Sequence, residues 1–259
     1  MVIAMAIAVF ILPGCTKLVD YLDHHGTPPQ LCDIQKIISP ALFEGPPLDT
    51  LYITYNRDGS PASALRHGFA DEGNPNWFFY YDRQGRLTEA LTVFSAYTVS
   101  KGKVSGDGIY LHRYSYDNRN RAITDTFYSG PTFVNGVLTV FHGGINVSLL
   151  EYDSKDRLIK ETFTEIPHDG GPAAPQGVRN YSYDANGNLI KPGVTVVYDD
   201  KVNFNRTNKV WMLIDRNYSV NNAFTTGTYN SFGLPTKNLP DFPFLLEGYS
   251  SATIQYSCQ

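Results

Sequence analysis

The sequence holds few side chains whose types and spacing predict chemistry. A glycosidase needs two carboxyl groups about 5–10 Å apart, on either side of a sugar bond. Glutamates on predicted strands could supply such a pair, although spacing alone does not pair them: Glu89, Glu151, Glu161, Glu165 and Glu247. Glutamates on strands mostly face solvent. A glycan-acting hydrolase is therefore an alternative hypothesis and not the main one.

Other catalytic and metal-binding motifs are incomplete in the sequence. His142-Gly143-Gly144 is similar to the oxyanion loop of esterases, but no Gly-x-Ser-x-Gly motif supplies a nucleophile. The six histidines are scattered, and no paired Cys-x-x-Cys motif is present. Residues 184–188 lack the spacing and the terminal glutamate of a calcium loop. We therefore predict no catalytic residue, no metal site and no cofactor.

Two tryptophans, Trp77 and Trp211, are the best candidates for ligand binding. An exposed aromatic ring on a curved sheet can stack against a sugar ring, because its apolar body and polar edge suit an amphipathic surface. Packing in the core is the alternative, and it is the more common use of a large aromatic side chain. The sequence leaves both interpretations open.

A repeated turn organises the elements that would position these side chains. In residues 81–87, Tyr-Asp-Arg-Gln-Gly-Arg-Leu, the Asp82 carboxyl can accept a hydrogen bond from the backbone two residues on. Gly85 can take a positive φ without a steric penalty, as a three-residue hairpin loop with a bulge requires. The predicted turn positions of all copies are Asn56 and Gly59, Asp82 and Gly85, Asp117 and Asn120, Asp153 and Asp156, Asp184 and Gly187, and Asn230 and Gly233.

These hairpins predict an all-β fold, an antiparallel up-and-down meander of about 12–14 strands. A sheet of that size either curls as an open sheet or closes like a barrel, because twist accumulates and open edges invite pairing. Trp211 and Ile214 lie at helical spacing, which predicts one short helix near 208–219 with Asn208 as its N-cap. We also predict a turn over 100–108, a flexible loop over 167–177 and a strand over 194–198.

Length and composition fit one domain and exclude one class of partner. A chain of 259 residues with 42% hydrophobic residues is long enough for a single all-β core. The net charge is −4, and the chain has no basic cluster. Nucleic acid is therefore not expected as a partner.

The first residues predict export and lipid anchoring. Residues 1–13 are almost wholly apolar but too short to span a bilayer, which takes about 20 residues. They are typical of a secretory signal, and Leu12-Pro13-Gly14-Cys15 resembles the lipobox of bacterial lipoproteins. We expect a signal peptide over 1–14, a lipid on Cys15, a flexible tether over 15–30 and a β domain over 31–259. A secreted protein with a free Cys15 thiol is the alternative.

The remaining cysteines, Cys32 and Cys258, begin the first predicted strand and end the last. In an oxidising compartment they could form a single disulfide. Such a bond would place the first and last strands side by side, as closure of a barrel would. Two buried free thiols are the alternative.

The repeat unit resembles the YD repeat of Rhs-type wall and toxin proteins. From about residue 31 to 259, the chain is more similar to a Bacteroidetes-type family of bacterial lipoproteins described as having a porin-like fold. The shared features are Tyr198-Asp199-Asp200-Lys201, Val210-Trp211-Met212-Leu213, residues 215–222 and a last strand with Tyr256 and Cys258. The resemblance implies a fold and an envelope location, and the family brings no established activity.

The sequence therefore favours a lipid-anchored protein of the outer membrane of a Gram-negative bacterium, on its periplasmic or its surface side. We expect a non-catalytic binding or scaffold module for a glycan or an envelope protein, with the membrane contacted through Cys15. The hydrolase is the alternative, and an integral outer-membrane barrel is the third hypothesis. Adjacent Lys160 and Glu161 point to opposite faces of a strand, so in a barrel one of them would face lipid.

Overall fold

The computed structural model describes residues 32–40, 48–67, 70, 74–94, 97–100, 103–106, 109–134, 137–141, 143–167, 171–225 and 227–258. The predicted signal peptide, the tether and Cys15 lie outside the described residues, and so does His142 of the loop that is similar to an esterase motif. The domain boundaries at 14 and 30 stay predictions.

The described elements are almost all strands, joined by turns. In chain order they are β1 (Cys32–Pro40), β2 (Leu48–Tyr55), β3 (Pro61–Arg66), β4 (Asn76–Tyr81), β5 (Leu87–Val93), β6 (Tyr97–Ser100), β7 (Lys103–Gly106), β8 (Ile109–Tyr116), β9 (Ala122–Ser129), β10 (Pro131–Val134), β11 (Val137–Phe141), β12 (Ile145–Tyr152), β13 (Leu158–Ile166), β14 (Ala174–Asn180), β15 (Ser182–Tyr183), β16 (Leu189–Ile190), a 3-10 helix (Phe204–Thr207), α1 (Lys209–Asp215), β17 (Thr228–Tyr229), β18 (Pro235–Lys237), β19 (Phe242–Phe244), β20 (Glu247–Tyr249) and β21 (Thr253–Cys258).

Eleven of these strands form one antiparallel sheet in the order β14-β13-β12-β9-β8-β5-β4-β3-β2-β1-β21. From β1 to β14, consecutive strands are neighbours except where the small hairpins β6–β7 and β10–β11 are inserted, so the predicted meander is confirmed. The last strand, β21, pairs with β1. In the part of the chain that the structure describes, β14 and β21 are the two edges and do not pair with each other. The sheet is therefore open, which decides between the two predicted alternatives in favour of an open sheet over a closed, barrel-like one.

The repeated turns share one local geometry. The residue at the fourth position after the tyrosine has a positive φ in all six copies: Gly59 (81°), Gly85 (73°), Asn120 (60°), Asp156 (56°), Gly187 (84°) and Gly233 (77°). In the second copy, the backbone N–H of Gly85 donates to the Asp82 carbonyl at 3.0 Å, and that of Gln84 donates to the Asp82 carboxylate at 2.8 Å. Gly, Asn and Asp occupy these positions because they tolerate the left-handed region best.

Neighbouring repeats are also tied to one another by their tyrosines. The Tyr116 hydroxyl donates to the Leu87 carbonyl at 2.7 Å, in the hairpin before its own. Arg86 forms an ion pair with Asp82 at 2.7 Å, and its guanidinium lies 5.1 Å from the Tyr116 ring centre. Comparable tyrosine-to-carbonyl bonds are donated by Tyr55, Tyr81, Tyr183, Tyr198 and Tyr256. These hydrogen bonds and ring contacts therefore link neighbouring hairpins and stabilise the meander.

One face of the sheet packs against the helical segment and the hairpin β19–β20. The shared core contains Phe79 from β4, Trp211 from α1 and Phe244 from β19, with ring centres 5.7 and 5.1 Å from that of Trp211. The predicted helix is confirmed: the Asn208 side chain accepts a hydrogen bond from the Val210 N–H at 3.0 Å, as an N-cap does. Arg216 ends the helix with a left-handed backbone.

The opposite face is covered in part by the hairpin β6–β7. Val104 from this hairpin packs on Leu91 and Leu111, which are buried on the sheet. The prediction of a plain turn over 100–108 is therefore corrected, because β7 pairs with β6 and buries Val104. The predicted flexible loop over 167–177 is corrected for its last residues, since Ala174–Asn180 pair with β13 as an edge strand.

A disulfide joins Cys32 in β1 to Cys258 in β21. Their Cα atoms lie 4.0 Å apart, and their sequence separation is 226. The two residues are also direct partners in the β1–β21 ladder. The bond thus fixes the last strand to the first, at one edge of an open sheet and not at the seam of a closed one.

Candidate functional site

The first candidate is a buried charge cluster under the end of α1, which we call the Arg216 cluster: Arg216, Asp125, Glu161 and His112. Arg216 donates to Asp125 on β9 at 2.7 Å and to Glu161 on β13 at 3.3 Å. Because the strands of Asp125 and Glu161 lie on either side of β12, one guanidinium spans three strands. The cluster therefore ties the helix to the sheet with charge-assisted hydrogen bonds.

His112 on β8 brings an imidazole to the same carboxylate, with its Nδ1 2.9 Å from Asp125 Oδ1. The ring lies nearly parallel to those of Trp77 and Tyr114, at centre distances of 6.4 and 6.3 Å. Burial acts to raise the pKa of Asp125, but His112 and Arg216 outweigh it and hold the pKa below its ordinary value. The carboxylate is thus kept charged by its partners, which is the state of a structural ion pair.

A second cluster joins the sheet to β20. Arg66 on β3 forms ion pairs with Asp49 on β2 and with Glu247 on β20. Glu247 also accepts hydrogen bonds from the Tyr249 hydroxyl at 2.7 Å and from Trp77 Nε1 at 3.3 Å. Burial raises the pKa of Glu247 to about 7, although Arg66 and these donors act in the opposite direction. Three side chains, Arg66, Tyr249 and Trp77, therefore donate to this carboxyl group.

The five glutamates considered as possible hydrolase groups are dispersed and paired. Glu161 and Glu247 belong to the two separate clusters above. The others bind side chains on neighbouring strands: Glu89 to Arg113 at 2.8 Å, Glu151 to Lys160 at 2.6 Å and Glu165 to Gln176 at 2.8 Å. Each of the five glutamates is thus bound to a different partner, and no hydrogen bond among the described residues joins two of them.

Trp77 and Trp211 lie inside the core. Their exposed fractions are 2% and 0%. Trp77 stacks on Phe79 with ring centres 6.1 Å apart, and Trp211 meets the same ring edge to face. Neither ring offers a surface on which a sugar could stack, so the geometry agrees with the core-packing interpretation.

The described residues instead form an open cavity of about 420 Å³ that the sequence did not predict. Residues 194–197 form one wall, and the hairpin around Phe242 forms another. Phe204 and Phe224 add aromatic side chains, and Pro240 and Pro243 extend the apolar lining. Ligand sites are usually concavities of roughly 300–1,000 Å³ in which a few placed polar groups accompany an apolar lining.

The polar groups of this cavity fall into two kinds. Asn203 and Asn222 are buried and hold the backbone: Asn203 accepts from the Asn205 N–H at 3.0 Å, and Asn222 accepts from the Phe204 N–H at 3.1 Å. Lys191 and Asp241 are exposed at the cavity walls. The buried amides therefore shape the site, and the two charges are available to a ligand.

The cavity carries a single carboxylate, Asp241, in its lining. Among the described residues, no group of three or more His, Cys, Asp and Glu side chains lies together in a way that could hold a metal ion. No helix in the described ranges is long and apolar enough to cross a membrane. The lining of the cavity suits binding by apolar contact and a few hydrogen bonds.

Comparison with solved structures finds distant similarity in shape. No protein-family model matches the chain. No curated protein matches it either. Among solved structures, a porin-like protein from Bacteroides vulgatus ATCC 8482 aligns with a TM-score of 0.33 and 14% identity, over 60% of this chain and 62% of that chain. The chain thus spans less than two thirds of that protein, and the resemblance to YD repeats and to the lipoprotein family stays a prediction.

Proposed function

We propose that the chain is an exported, lipid-anchored protein of the bacterial cell envelope that acts as a non-catalytic binding or scaffold module. Its partner is a glycan or an envelope protein, and its binding site is the cavity between residues 194–197 and the β19–β20 hairpin. The anchor rests on the lipobox-like segment that ends at Cys15. The disulfide between Cys32 and Cys258 supports an oxidising compartment.

The observation that carries this proposal is where the polar groups of the structure lie. The buried charges of the sheet are held in ion pairs, while the cavity is lined by apolar side chains, amides, one lysine and one carboxylate. A hydrolase of the usual kind needs two carboxyl groups facing one bond. This cavity offers one, which favours binding over hydrolysis.

A glycan array probed with the full chain tests the proposed binding. Lys191→Ala and Asp241→Ala alter the exposed charges of the cavity without touching the core. Lys155→Ala and Asp200→Ala serve as matched controls, because both residues are exposed and lie outside the cavity lining. We expect any specific glycan signal to fall in the cavity variants and to persist in the controls. A signal that is unchanged in both cavity variants would contradict the proposed site.

A further inference from the structure

The feature that the proposed function leaves unused is the backbone of residues 194–197, Val-Thr-Val-Val. Three of the four residues are β-branched valines and the fourth is threonine, which favour strands. The segment runs without a turn or bend, but it pairs with no strand in the part of the chain that the structure describes. The predicted strand over 194–198 is therefore corrected: the strand-forming residues are present, but no strand among the described residues pairs with them.

Both ends of this segment are fixed, while its middle is unpaired. The Val194 N–H donates to the Lys191 carbonyl at 3.2 Å, and the Asp199 N–H donates to the Asn222 carbonyl at 3.0 Å. The Tyr198 hydroxyl donates to the Leu189 carbonyl at 2.6 Å. Between these bonds, the described structure provides no hydrogen-bond partner for the backbone of residues 195–197. A segment held at both ends loses less conformational entropy when it pairs.

The side chains along the segment are unusually exposed for apolar residues. Val194 is 61% exposed and Val197 is 62% exposed. The edge strand β14 is different, because Pro175 interrupts its hydrogen bonding and Arg179 adds a charge, which are common protections of sheet edges. Residues 194–197 contain neither proline nor charge, so they form an unprotected template for a β-strand.

We propose that residues 194–197 bind an extended polypeptide segment of a partner protein by β-strand addition, with alternate partner side chains entering the cavity. All four residues line that cavity, opposite Phe224 and Phe242. In this mode, backbone hydrogen bonds supply affinity and a neighbouring apolar groove supplies selectivity. The inference rests on the proposed binding function and selects the polypeptide from its two partner classes.

The test uses the full chain and a library of random heptapeptides displayed on phage. Enriched peptides are synthesised, and their affinity is measured for the wild type, Thr195→Pro and Val196→Pro. Proline removes one N–H, and only alternate N–H groups of a strand face a given neighbour. We expect enriched peptides to carry apolar residues at alternate positions, and we expect one proline variant to lose affinity at least about tenfold more than the other.

Val194→Lys provides a second variant, because a lysine at an exposed strand position blocks strand addition without entering the core. Thr195→Ala is the control that retains the backbone N–H, and thermal unfolding of every variant checks the fold. No enriched peptide, or equal binding by the wild type, both proline variants and Val194→Lys, would overturn the inference. A dimer seen by sedimentation and abolished by Val194→Lys would also overturn it, by assigning the segment to a second copy.

The outcome also separates this inference from the proposed function. Glycan binding that depends on Lys191 and Asp241, without peptide binding, would leave the binding module standing and remove the polypeptide partner. If neither probe binds at the cavity, both proposals fail together.

Discussion

At the scale of single residues, the repeated turns favour glycine at Gly85 because of its backbone conformation, and not because space is short. Gly85 has a φ of 73°, and a Cβ added there would meet nothing within 4 Å. Gly248 also has open space around it but an ordinary φ. We expect Gly85→Ala to destabilise the protein by about 1–2 kcal/mol, which is the penalty of a left-handed backbone. Urea unfolding with the disulfide intact measures this change.

Gly248→Ala is the matched control for that prediction. Because its backbone suits an L-residue, we expect stability to stay equal or to rise by up to about 1 kcal/mol, through the lower entropy of the unfolded chain. Equal losses of stability in both variants would contradict the role assigned to the positive φ of Gly85.

The Arg216 cluster gives a second prediction at this scale. Removing one partner of a buried ion pair costs about 3–5 kcal/mol, so we expect Asp125→Asn to lower the free energy of unfolding by about that amount at pH 7. Glu151→Gln breaks the exposed pair with Lys160, where about 0–1 kcal/mol is expected. Chemical denaturation of the two variants and the wild type provides the comparison.

The substitution Asp125→Asn also changes how the stability of the protein depends on pH in acid. The pKa of Asp125 in the folded protein lies below its ordinary value of 3.8, so the unfolded chain binds more protons in acid. Stability therefore falls as the pH drops below about 4. We expect a flatter acid dependence in Asp125→Asn. An acid profile as steep as that of the wild type would assign this loss of stability to other groups.

At the scale of elements, the helix α1 depends on its cap because it has only seven residues. Asn208→Ala removes the acceptor for the Val210 N–H and should cost about 1 kcal/mol. Asn208→Asp keeps that acceptor and should restore most of the loss, although it forfeits the 3.3 Å bond from the amide to the Gly59 carbonyl. Thermal unfolding followed by tryptophan fluorescence measures this change, because Trp211 of the helix contributes to the signal together with Trp77. Equal stability of the alanine and aspartate variants would contradict a capping role.

Elements whose signal is local could be predicted from the sequence. The hairpin loops follow from Asp or Asn at one position and Gly, Asn or Asp three residues later, and the helix follows from the cap and the spacing of Trp211 and Ile214. Residues 174–177 of strand β14 were predicted as part of a loop because Pro175 and Gly177 are typical of loops, and only their pairing with β13 reveals the strand.

The candidate sites could not be predicted because their parts are far apart in the sequence. Arg216 meets Asp125 across 91 positions and Glu161 across 55. The cavity likewise joins residues 194–197, 222–225 and 240–243. The sequence predicted residues 194–198 as one more strand of the meander, because composition reports strand propensity and not the presence of a neighbouring strand.

At the scale of the whole molecule, the disulfide limits the freedom of the unfolded chain. It closes a loop that spans all of the described residues, with a sequence separation of 226 between its cysteines. The chain-entropy relation gives about 5 kcal/mol for a loop of this length. We expect the Cys32→Ser, Cys258→Ser double variant to lose several kcal/mol in urea unfolding. A variant as stable as the wild type would show that the strand ladder alone secures the edge.

The open sheet also bears on how the protein meets a membrane. With β14 and β21 as separate edges, the described sheet does not close on itself. The attachment proposed above is the lipid on Cys15, and the segment predicted as a tether over 15–30 would link that lipid to the β domain. Two or three acyl chains suffice for stable anchoring, at about 0.8 kcal/mol per buried methylene.

The most direct test of this account is metabolic labelling with an alkyne palmitate analogue, followed by fractionation, in cells that express the full chain. We predict that the wild type is labelled and sediments with membranes, and that Cys15→Ser is unlabelled and appears in the soluble fraction. Label that persists in Cys15→Ser, an unlabelled wild type, or an unlabelled variant that stays in the membrane would contradict the central claim.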